Sequence, residues 1–102
     1  MTGTGIGTSA SLNPIVDPSQ LVCPTTKVSW ANDVAKLFTP RDVAHMMQVT
    51  GGRLDLSNAQ STEIWAYKVY GYVANGYMPP GSPWTQDMVT TFGCWIQGGF
   101  QP

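Results

Sequence analysis

Charge is what this chain has least of. Five Lys and Arg face six Asp and Glu among 102 residues, for a net charge of -1, so no basic face is available to attract nucleic acid or an anionic membrane. No apolar run approaches the ~20 residues that span a bilayer, and the N-terminus has neither the basic start nor the apolar core of a signal peptide. The sequence as written therefore reads as cytoplasmic, with no nucleic-acid or membrane partner; a mature form trimmed of its leader is the alternative. Histidine occurs once, as His45. A His-Glu-x-x-His zinc helix is thereby excluded, and a Gly-x-Ser-x-Gly elbow and a phosphate-cradling glycine loop are missing too. Two cysteines, Cys23 and Cys94, lie far apart and match no close Cys-x-x-Cys pair of the metal or redox kind. The rarity of cytosolic disulfides favours two idle thiols, with a bridge from the N-terminal arm to the last helix as the alternative.

What the chain does have is aromatic bulk. Four Trp, four Tyr and three Phe within 42% hydrophobic content give one domain with a modest core. Residues 1–27 read as a flexible or docking arm, because Gly, Ser and Thr dominate its first part and Pro14 and Pro18 exclude a continuous helix. Ile15, Val16, Leu21 and Val22 suit a groove on the domain or on a neighbouring subunit.

Residues 28–102 read as a helical domain of three to four helices. Ser29 caps a first helix whose buried face is Trp30, Val34, Leu37 and Phe38. Thr39-Pro40-Arg41-Asp42 opens a second, with Val43, Met46 and Met47 inward and Gly51-Gly52 at its end. After the extended link Arg53-Leu54-Asp55-Leu56, Ser57 and Gln60 suggest a capping box for a long third helix, stopped by Asn75-Gly76. Thr85 caps the fourth, whose inner side is Met88, Val89, Phe92, Trp95 and Ile96. Gly71 and Gly93 weaken their helices by ~1 kcal/mol each relative to Ala, so both suggest close approaches; the Trp30 to Phe38 helix is the expected neighbour of Gly93. No alternating segment competes, and the class is all-α. Trp65, Tyr67, Tyr70, Tyr72 and Tyr77 spread around the third helix and its exit, so some must face solvent or a partner.

The order of a short first helix, a histidine-bearing second, a Met-Pro loop and a closing helix resembles the small class I cytochromes c. The residues are Met78-Pro79-Pro80, Trp84 and Trp95-Ile96-Gln97-Gly98, and the likeness covers about residues 28 to 99. It implies a cytochrome c-like fold in which Trp30, Phe38, Phe92, Gly93 and Trp95 join the first and last helices. Where that family carries the Cys-x-x-Cys-His attachment motif, this chain has Arg41-Asp42-Val43-Ala44-His45, so covalent haem through that motif is impossible.

The expected function follows from that departure: a haemless, cytochrome c-like accessory or interaction protein without a cofactor. Its ligand pocket would be formed by His45, Met78, Tyr67, Tyr70 and Trp84, taking a small apolar or aromatic metabolite. Self-association or docking onto a larger oxidoreductase would use the exposed aromatics. Two alternatives stay open: electron transfer by non-covalent haem between His45 and Met78, and a small enzyme with His45 and Asp42 as acid and base.

Overall fold

The computed structural model describes residues 15–102, so the Gly-, Ser- and Thr-rich start of the arm lies outside the described residues. From Trp30 onward six helical segments follow one another. A π-helical turn, Trp30–Val34, runs into a 3-10 turn, Ala35–Leu37; then come α1 (Pro40–Val49), α2 (Ala59–Ile64), α3 (Ala66–Ala74) and α4 (Gln86–Gln97). Among the described residues there is no strand, only a single bridge between Ser29 and Gln101, and the class is all-α. No helix among them is long and apolar enough to cross a membrane.

Local chemistry fixes most of the boundaries. At α1 the Thr39 hydroxyl accepts from Asp42 N–H at 3.1 Å while the Asp42 carboxylate accepts from Thr39 N–H at 2.9 Å, which satisfies two amides that the helix cannot. Ser29 caps the first segment by accepting from Asn32 N–H at 3.1 Å, and Thr85 caps α4 by accepting from Met88 N–H at 3.3 Å. Gly51 and Gly52 carry φ of +65° and +86° just past α1, a turn that L side chains resist.

Several expectations change. The long third helix is two: α2 ends at Ile64, and Trp65, with φ -99° and ψ 8°, separates it from α3. The cap of α2 is Asn58, which accepts from Ser61 N–H at 2.8 Å, while Ser57 turns back to Asp55. The two cysteines are joined, Cys23 to Cys94.

The bridge is one of several ties that draw the arm onto α3 and α4. The Tyr70 hydroxyl donates to Val16 C=O at 2.6 Å, and the Gln97 side-chain amide donates to the carbonyls of Pro18 and Leu21, both at 2.9 Å. Leu21 and Tyr70 fill the notch left by Gly93: a Cβ there would run into the Leu21 side chain and lie 2.8 Å from the Tyr70 ring. Gly93 therefore serves the arm and α3, not the first segment. Gly71 has open space around it, and no close approach explains it.

The first segment meets α4 through aromatic rings. Trp30 lies 5.5 Å from Trp95, Phe38 lies 6.0 Å from Phe92 and 5.4 Å from Trp84, and Phe100 caps Trp95 at 5.0 Å edge to face. Such offset and edge-on pairs each add about 0.5–1.5 kcal/mol beyond burial. The Gln101 carbonyl accepts both Trp30 N–H at 2.8 Å and Trp95 Nε1–H at 3.0 Å, pinning the C-terminal segment over this cluster.

Candidate functional site

The elements α1, the Arg53 to Leu56 link, α3 and the Met78 loop do not close completely. They enclose a cavity of about 270 Å³. Its floor is apolar because both leucines of the link alternate inward, Leu54 and Leu56 being almost fully buried, with Met46 from α1 and Val69 and Val73 from α3 beside them. Phe38, Trp65, Tyr72 and Trp84 bring aromatic surface, and Met78 and Pro79 close one end.

Most polar groups on this wall are already engaged. Thr50 Oγ1 donates to Met46 C=O at 2.6 Å and accepts from Leu54 N–H at 3.0 Å. Asp42 is held by its helix cap, and the Lys68 ammonium sits 5.8 Å from the Trp65 ring centroid, within cation–π range. His45 differs. It is exposed at the rim, and among the described residues its imidazole has no hydrogen-bond partner.

A second, broader groove of about 650 Å³ adjoins the cavity and shares Asp42, His45, Pro79 and Trp84 with it. Its remaining wall comes from Leu37, Thr39 and Arg41 on one side and from the segment Pro80 to Met88 on the other. The site is therefore an apolar chamber opening into a more polar mouth.

Of the residues expected in a pocket, His45, Met78 and Trp84 line this cavity, and Asp42 does so as well. Tyr70 does not, because it is buried toward α4 with its hydroxyl on the arm. Tyr67 also lies elsewhere, 67% exposed; Tyr72 takes the tyrosine's place on the wall. Among the described residues no hydrogen bond joins Asp42 to His45, the pair of the enzyme alternative; the Asp42 carboxylate accepts from Thr39 N–H. Phe38, Leu54, Leu56, Trp65 and Val69 were not anticipated in the wall. The inward alternation of Leu54 and Leu56 was a readable signal for two of them; the others depend on how distant elements converge.

Haem fits this site poorly. His45 and Met78 do stand on one cavity wall, but a space of about 270 Å³ falls below the roughly 300–1,000 Å³ that holds drug-sized ligands, and a tetrapyrrole is larger than many of those. Both thiols are consumed in the bridge to the arm. Among the described residues no group of three or more His, Cys, Asp or Glu is gathered to hold a metal ion. Compared with protein-family models, with curated proteins and with solved structures, the chain matches none.

Proposed function

We propose that this domain is a haemless, cytochrome c-like binding module, an accessory protein that holds one small apolar or aromatic molecule where a relative would carry haem. The observation that carries the reading is the apolar cavity with a free imidazole at its rim. An apolar cavity of about 150 Å³ is enough for benzene, so a volume of about 270 Å³ suits one ring with substituents or two fused rings. Phe38, Trp65 and Trp84 offer faces and edges to such a ligand, and His45 offers one polar contact at the opening.

Exposed Ile64, Tyr67 and Tyr77 support a protein partner, a second copy or a larger oxidoreductase. The Cys23–Cys94 bridge supports an oxidising compartment over the cytoplasm expected from the N-terminal sequence. With Asp42 held in its cap, the reading favours binding over acid/base chemistry.

A thermal-shift titration with indole, naphthalene and similar one- and two-ring compounds tests the proposal. Ligand at a hundred times its Kd adds about 2.7 kcal/mol, which raises Tm by roughly 10 °C or more in a domain of this size. Val69→Phe, checked by circular dichroism for an intact fold, fills the chamber and removes the shift. A shift that survives in the folded variant, or none with any ring compound, overturns the reading. So does a Soret band after incubation with haem that disappears in His45→Ala.

A further inference from the structure

We infer that the ligand is an aromatic acid, its ring in the apolar chamber and its carboxylate in the adjoining groove, received by the indole N–H of Trp84 together with Arg41 and His45. This deepens the binding reading and rests on it. Trp84 belongs to the wall of both spaces. It is 9% exposed, yet among the described residues its Nε1–H has no acceptor, whereas Trp95 Nε1–H has Gln101 C=O at 3.0 Å. A ligand acceptor placed where the two spaces meet would give the Trp84 N–H a partner.

The surroundings favour that acceptor being an anion. The groove lies between the N-termini of α1 and α4, whose first residues and caps, Thr39, Arg41 and Thr85, form part of its wall. Both ends carry the positive pole of a helix. Arg41 is exposed on this wall and makes no ion pair among the described residues. Two carboxylates oppose it. Asp42 is in the groove but accepts Thr39 N–H, and Asp87 lies in the first turn of α4 without lining the groove.

Charge-assisted hydrogen bonds are roughly twice as strong as neutral ones. Titration calorimetry with the intact, disulfide-bonded chain should compare indole-3-acetate with its neutral amide, indole-3-acetamide. The acid is expected to bind about tenfold more tightly at low salt, with the advantage shrinking as salt rises. Arg41→Gln should bring the two ligands to equal affinity without weakening the amide. Trp84→Phe, which keeps the ring, should weaken the acid about tenfold. An amide that binds as well as the acid overturns this inference and leaves the chamber reading standing. If neither ligand binds, this inference falls, and the chamber reading is decided by the wider series of ring compounds.

Discussion

Tyr70 does something that Tyr67 and Tyr72, on the same helix, do not: it ties α3 to the arm through the Val16 carbonyl. Burial, and after it the nearby Asp17 carboxylate, pushes its phenol above the usual tyrosine value of 10.0. The folded chain therefore holds the proton to higher pH than the unfolded chain does. The stability this contributes is fully present below about pH 10 and is lost as pH rises through the folded value. Tyr70→Phe should cost about 1 kcal/mol at neutral pH through the lost hydrogen bond and should flatten the alkaline decline. Urea midpoints measured across pH 8 to 12 for both proteins would decide it; an equally steep decline in the variant counts against Tyr70 as its source. Asp17 and Asp55 have carboxyls held below the usual carboxylate value by hydrogen bonds from Ser19 and Ser57, but both are open to solvent screening and carry no comparable stability argument.

At the scale of elements, two helical glycines that look alike in the sequence differ in what surrounds them. Gly71 in α3 has open space where a Cβ would sit, while Gly93 in α4 faces Leu21 and the Tyr70 ring. Gly71→Ala should stabilise the fold by up to about 1 kcal/mol through helix propensity. In Gly93→Ala the same gain is offset by about 1–3 kcal/mol of overpacking, since the Tyr70 ring is fixed by its hydroxyl and has little freedom to retreat. Opposite shifts in the urea midpoint are expected, and a stabilised Gly93→Ala would show that the notch is loose. The same contrast marks what the sequence made legible. Caps at Ser29, Thr39 and Thr85 and the glycine turns after α1 and α3 could be read directly, because each rests on a residue and its near neighbours. The break at Trp65 could not, since no Gly or Pro announces it. It accompanies Thr62 Oγ1 bonding back to Asn58 C=O at 2.9 Å and Ser61 Oγ accepting Asp55 N–H at 2.9 Å, which hold α2 to the link. For the site, the resemblance to cytochromes c pointed to His45, Met78 and Trp84. The tyrosines could not be assigned that way, because the side of α3 that faces α4 depends on where the arm docks.

For the whole molecule the Cys23–Cys94 bridge decides how firmly the arm belongs to the domain. Apart from the bridge, the arm is held by Leu21 in its notch and by the side-chain hydrogen bonds from Tyr70 and Gln97. Those hydrogen bonds contribute about 1 kcal/mol each. By the chain-entropy argument a bridge closing a sequence separation of 71 adds about 4 kcal/mol, a large share of the roughly 5–15 kcal/mol that keeps a small domain folded. Replacing both cysteines by serine should therefore lower Tm by roughly 20 °C, or prevent folding near body temperature. Trypsin gives a second readout, because Lys27 is exposed between the bridge and the first helical segment. Cleavage there leaves the arm attached in the oxidised protein and frees it on reduction, so the mass released should appear only after a reductant is added. A variant lacking both thiols that melted within a few degrees of the parent would mean that Leu21, Tyr70 and Gln97 hold the arm without covalent help. No described residue of the arm lines the chamber, so its affinity for ring compounds should persist wherever the reduced protein remains folded. Ligand shifts measured below the lowered Tm test that independence directly.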